Sequence, residues 1–159
     1  MKPVLVELPA FHVVGLSGRF TPETTKDIPQ LWAKFGPRMM HVPGLRKPGT
    51  SYGLCVADPQ GEKGPPALEY TAAVEVASLT HVPEGMVGMT VPAGTYAVFT
   101  HTGPIDGIGK TWDSIYSSWL PSSGLQKRSA PEFEKYDERW DVRTRSGPVD
   151  IHIPVVGKR

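Results

Sequence analysis

The sequence carries an internal echo, and that echo restricts the fold more than any other feature. Leu8-Pro9-Ala10 leads into the apolar run Phe11-His12-Val13-Val14-Gly15-Leu16, and Val91-Pro92-Ala93 leads into Thr95-Tyr96-Ala97-Val98-Phe99. Pro9 and Pro92 are 83 positions apart, and two apolar helical faces carry Trp32 and Trp112, 80 positions apart. Self-similarity at a fixed spacing marks a repeated structural unit. Each half reads strand, helix, strand, strand, with pseudo-repeats over about residues 3–80 and 86–157 of one domain spanning 1–159. Two such halves predict an α+β domain: a mostly antiparallel sheet with two helices on one face. Clefts form readily where packed units meet, so the seam between the halves is the expected place for a central pocket.

The elements are legible one by one. Asp27-Ile28-Pro29-Gln30 reads as a helix start, with a capping Asp and Pro in the first turn. Ile28, Leu31, Trp32 and Phe35 follow as one apolar stripe. Gly36-Pro37 either closes or bends this helix, and Met39 and Met40 are in position to extend it. Ser51–Ala57 and Leu68–Ala77 read as strands, joined by a Gly- and Pro-rich loop over Asp58–Pro66. In the second half Ile108, Trp112, Ile115, Tyr116 and Trp119 share a helical face, and Leu120-Pro121 is the expected stop. Pro131–Trp140 and Val149–Val155 supply the remaining strands.

Composition removes several functional classes. A chain of 159 residues can bury a sizeable core. Its net charge of +1 gives no basic stripe for nucleic acid, so no direct nucleic-acid partner is expected. Cys55 stands alone and suits a reducing compartment. Nothing approaches eighteen consecutive apolar residues and no leader pattern opens the chain, so the expectation is a cytoplasmic protein without a membrane span. His12, His41, His81, His101 and His152 show no metal-ligand spacing, and no metal or other cofactor is expected. No Gly-x-Ser-x-Gly elbow is present. The segment Gly103–Lys110 has Pro104 where a phosphate loop needs its first glycine, and it reads as a helix entry.

What remains is an acidic residue among aromatics. In Pro131-Glu132-Phe133-Glu134-Lys135-Tyr136 the strand alternation puts Glu132, Glu134 and Tyr136 on one side, Phe133 and Lys135 on the other. Each side has an aromatic, so periodicity leaves open which one faces inward. An exposed, solvated Glu134 is the ordinary reading. Trp32 and Trp112 are costlier core filler than Leu, since a buried indole N–H needs a partner. That favours a pocket wall for both, whereas Trp119 reads as plain core. Tyr52, Tyr70 and Tyr96 lie on strands, where each is either an ordinary half-buried tyrosine or a ligand-binding residue of the pocket wall. Glu75 stands opposite the apolar side of its strand and is expected in solvent.

The ordered set Pro92–Phe99, His101-Thr102-Gly103-Pro104, Trp112–Leu120, Pro131–Tyr136 and Ile151–Val155 resembles the gyrase-inhibitor-like effector-binding domain. This is the ligand module of certain AraC- and MerR-type regulators. The resemblance covers essentially the whole chain, most strongly from about Met89 onward. It implies a duplicated strand-helix-strand-strand fold whose central pocket has aromatic walls and an acidic residue at its floor. That residue matches Glu134, and the walls match Trp32, Tyr52 and Tyr116. A further aromatic near the last strand is replaced here by His152. Many members bind lipophilic cations, a subset hydrolyses strained-ring genotoxins, and a few modulate gyrase. The resemblance therefore implies a binding module for a lipophilic, cationic aromatic small molecule. On this reading the expectation is a stand-alone sensor without a DNA-binding segment and without a catalytic residue. A hydrolase would instead use Glu134 on water, and a gyrase modulator would have a protein partner; a homodimer is open under each.

Overall fold

The computed structural model describes residues 2–21, 23–57 and 67–157. The expected loop over 58–66 lies outside the described residues. Nine strands form the sheet: β1 (Val4–Leu8), β2 (Phe11–Phe20), β3 (Ser51–Ala57), β4 (Leu68–Val76), β5 (Val87–Val91), β6 (Gly94–His101), β7 (Leu125–Lys127), β8 (Glu132–Tyr136) and β9 (Val149–Gly157). Their order is β1-β6-β9-β8-β3-β4-β2-β5, with β7 on the end of β9. Every pairing is antiparallel. Helix α1 is Ile28–Met39 and α2 is Ile108–Ser114. The latter continues through a π-helical turn, Ile115–Trp119, and a last α-turn, Leu120–Ser122.

The architecture is α+β, with both helices on one face of the sheet. The two units β2-α1-β3-β4 and β6-α2-β8-β9 have the same connectivity, and β8 and β3 meet at the centre. The strands that precede them are exchanged: β1 pairs with β6 of the second unit, and β5 with β2 of the first. The echoed prolines explain this. Pro9 and Pro92 sit at the joints β1–β2 and β5–β6, where a residue without an N–H ends one ladder before the next begins. The sequence indicates one strand in residues 1–20, whereas the fold has two. β1 was hidden because Val4 and Leu5 are exposed on an edge strand and show no alternation. β5 and β7 are short and escape for the same reason.

The second helix does not stop at Leu120-Pro121. A proline ring clashes with the carbonyl four residues back, and the π-helical turn widens the backbone just ahead of it. Pro121 then occupies the first turn of the closing α-segment, where its missing N–H costs nothing. In α1, Pro37 is carried inside the helix, which runs to Met39.

The sheet buries both faces. On the helix face Phe35, with Leu31 and Trp32, packs on Val14, Ala72, Val74 and Val76. Ile115, Trp112 and Trp119 pack on Ala97, Phe99, Ile151 and Ile153. Trp119 stands edge-on to Phe99 at 4.9 Å, a core contact. The opposite face holds Val13, Tyr52, Leu54, Ala73, Tyr96 and Phe133, covered by Val6, Leu8 and Phe11 from β1 and β2.

Candidate functional site: a buried carboxylate under two indoles

Glu134 projects from β8 on the helix face and is 7% exposed. Tyr70 and Tyr136 donate their hydroxyls to Oε1, at 3.1 and 2.8 Å. Trp112 donates its indole N–H to Oε2 at 3.0 Å. Trp32 donates to the Tyr70 hydroxyl at 3.0 Å, which completes a relay from α1 to the carboxylate. Both helices therefore reach the same acid, one directly and one through a tyrosine. Trp32 also stands edge-on to Tyr136 at 5.5 Å, and Tyr136 to Trp140 at 5.1 Å, so flat rings border the carboxylate.

The electrostatics follow from burial. Loss of hydration raises the Glu134 pKa above 4.5, the ordinary value, and the bonds from Trp112, Tyr136 and Tyr70 pull it partly back, as does the charge of His101. All three donors are neutral. Among the described residues, no Lys or Arg forms an ion pair with Glu134. Burial and the neighbouring acid push the Tyr70 and Tyr136 phenols upward, so both stay protonated donors.

The backbone under the acid is just as specific. Gly53 on β3 lies directly across from Glu134. A Cβ on Gly53 would sit 2.0 Å from the Tyr70 hydroxyl and 3.0 Å from Glu134 Oε1. The strand registers make these two positions counterparts as well as neighbours. Val13 pairs with Glu75, and its counterpart Tyr96 pairs with Pro154. Ala73 pairs with Tyr52, and its counterpart His152 pairs with Phe133. Tyr52 thus corresponds to Phe133 and Gly53 to Glu134, and the pseudo-twofold axis passes between the last two.

Of the residues singled out in the sequence, Trp32, Tyr70 and Trp112 join Glu134. Tyr116 stacks on Trp112 at 6.4 Å and 10°, is 37% exposed, and feels the charge of Glu132, which together with burial raises its pKa. Tyr52, Tyr96 and His152 lie on the opposite face of the sheet. Tyr52 pairs with Lys135, one residue out of phase with Glu134. Tyr96 is buried and donates to the Pro92 carbonyl at 2.7 Å, a core role. His152 stacks on Phe133 at 4.3 Å. Glu75, expected in solvent, is buried on that same face, where its charge adds to burial in raising the Tyr52 phenol pKa. Sequence reasoning did not single out Tyr136 or Gly53. The two-residue period from Glu134 was a usable signal for Tyr136, whereas Gly53 needed the cross-strand register.

An α+β sheet that carries a buried acid under aromatic residues from two helices defines a class of small-molecule-binding modules, and sequence comparison gives the same class. The chain belongs to the GyrI-like family, matching the GyrI-like small molecule binding domain over residues 1–156. It is 40% identical over 156 residues to the transcriptional regulator BrlR of Pseudomonas aeruginosa, covering 98% of this chain and 56% of that protein. It thus spans little more than half of BrlR's length. The probable transcriptional regulator YgiV of Escherichia coli K12 is 28% identical over 161 residues, 95% of this chain and 94% of that one. The structure of SAV2435 bound to tetraphenylphosphonium has the same fold, with a TM-score of 0.79 at 18% identity over 99% of this chain and 95% of that one.

Proposed function

We propose that this chain binds lipophilic aromatic cations at Glu134 and serves as the ligand-sensing module of a regulatory system. The observation that carries the reading is a buried carboxylate with three neutral donors and no Lys or Arg ion pair among the described residues. Taking an ion out of water costs several kcal/mol, and neutral donors offset only part of that. An entering cation supplies the missing countercharge. Trp32, Trp112 and Tyr136 add faces worth about 0.5 to 2 kcal/mol each to a desolvated cation. The acid is enclosed, so the guest must displace an aromatic side chain. Trp112 is the apt one, because it stands just ahead of the π-helical turn, a kind of irregularity frequent at functional sites. SAV2435, solved with tetraphenylphosphonium, supports this choice of ligand class through its fold alone.

The test is calorimetry with tetraphenylphosphonium and the neutral, similarly shaped triphenylphosphine oxide, on wild type and Glu134→Gln. A glutamine can turn its carbonyl to Trp112 and its amide to the two tyrosine oxygens, which then accept instead of donating, so the shape of the site is kept while the charge is removed. The expected result is a preference for the cation in wild type that disappears in the variant. Equal cation affinity in both proteins refutes the reading.

A further inference from the structure

The face of the sheet turned away from Glu134 has a cavity of its own, of about 470 Å³. It opens between the Pro9 joint and the loop carrying Arg46 and Lys47, and β8 forms part of its wall through Lys135. Its base is the buried aromatic core, where Phe133 and His152 stack at 14° and Tyr52 stands edge-on to Phe133 at 5.8 Å, and its outer wall is formed by Pro9 and Phe11. Three cationic side chains face a single carboxylate, Glu75, which leaves the opening with an excess of positive charge.

Those cations are placed but not consumed. The Arg46 amide donates to the Glu75 carbonyl at 3.0 Å, and Leu45 bridges to Val76, so the loop backbone is tied to the end of β4. The side chains, by contrast, are 60% and 56% exposed and approach the Glu75 carboxylate only to 3.9 and 3.5 Å, beyond good charge-assisted hydrogen-bond length. His152 adds an acceptor. Its Nδ1 lies 3.1 Å from the Asp150 carbonyl, which fixes the proton there and leaves Nε2 unprotonated. Burial holds this imidazole neutral, with a pKa lowered to about 4, so it adds no positive charge at pH 7.

We propose that this second cavity binds a flat aromatic oxyanion, its ring against Pro9 and Phe11 at the mouth and its carboxylate or phosphate held by Arg46, Lys47 and Lys135. The two faces of one sheet then have opposite preferences. Alternation along β8 sets this up: Glu134 points to one side and its neighbours Phe133 and Lys135 to the other. The site stands on its own geometry and does not depend on the cation reading.

The experiment is calorimetry on the full chain with 2-naphthoate, 2-naphthyl phosphate and neutral 2-naphthol. The expected result is saturable binding of at least one anion, weaker binding of naphthol, and affinity that falls with added salt. The ratio of the two anions tells whether carboxylate or phosphate is preferred. The double variant Arg46→Gln/Lys135→Gln loses roughly ten-fold or more in anion affinity, as expected for charged hydrogen bonds lost. Both side chains lie outside the Glu134 site, so circular dichroism and the thermal midpoint of the variant are expected to match wild type. Absence of anion binding, affinity unchanged in the double variant, or displacement of bound naphthoate by tetraphenylphosphonium overturns the proposal.

Discussion

Replacing Gly53 by alanine adds one methyl group where the structure has no room for it. The added carbon falls 2.0 Å from the Tyr70 hydroxyl and 2.6 Å from its ring carbon Cζ. Gly53 is not among the residues with positive φ, so alanine suits the backbone and even restricts the unfolded chain slightly, worth about 0.4 to 1 kcal/mol. The penalty lies in the side chains. Tyr70 is buried and bordered by Phe20 and Trp32, each at 6.4 Å, so its ring can move only by giving up its hydrogen bonds. A bond to a charged group contributes about 1.5 to 3 kcal/mol, and overpacking a core costs about 1 to 3 kcal/mol. The expected loss is therefore roughly 2 to 5 kcal/mol. Urea denaturation at pH 7 measures it. Tyr70→Phe removes the oxygen at 2.0 Å and leaves the carbon at 2.6 Å, so adding Gly53→Ala to that variant is expected to cost less than adding it to wild type. A Gly53→Ala protein within about 0.5 kcal/mol of wild type refutes the tight packing of Gly53, Tyr70 and Glu134.

Three further outcomes follow from the same geometry. Trp112→Phe keeps an aromatic ring but loses the pyrrole half of the indole with the N–H held by Glu134 Oε2, so a loss of at least about 1.5 to 3 kcal/mol in urea denaturation at pH 7 is expected, together with a further rise of the Glu134 pKa seen by carboxyl NMR. His152 titrates near 4 in the folded chain against 6.5 when free, so the unfolded state takes up the proton first, and stability falls as pH drops from about 6.5 to about 4, by roughly 3 kcal/mol in all. Glu134 works in the opposite sense. Its folded pKa is raised, so the cost of burying its charge is present at neutral pH and relieved as pH falls through that value toward 4.5; stability curves of His152→Phe and Glu134→Gln against pH separate the two.

The fold was legible because each unit repeats its punctuation. Pro9 and Pro92 mark equivalent joints, and the Trp32 and Trp112 stripes mark equivalent helices, so the class follows from patterns within about fifteen residues. The exchange of β1 and β5 was not legible. Pairing between β1 and β6 spans some ninety positions and is set by which edge is free once the central strands have formed, which no local period records. The extra turn after Leu120 was hidden for a related reason. Proline is a strong local stop, and only the π-helical geometry ahead of it lets the helix pass.

The site was half legible, and its symmetry explains which half. Any side chain next to a twofold axis meets the side chain at its own counterpart position. Were Gly53 to carry a copy of Glu134, two carboxylates would share one buried volume, which like-charge repulsion and desolvation both forbid. One position must therefore be an acid and the other must be empty, and glycine is the only residue that supplies the emptiness. Trp32 and Trp112 do copy each other, because at helix distance from the axis there is room for both. Their roles nonetheless differ: Trp112 reaches the acid, whereas Trp32 needs Tyr70 as an intermediary. A duplicated chain thus keeps its repeats where the two copies are apart and breaks them where they touch. The candidate site residues Glu134 and Gly53 are the ones at the break. Similarity between halves, the most readable signal in the sequence, reveals the frame and conceals Gly53, whose importance lies in being unlike Glu134.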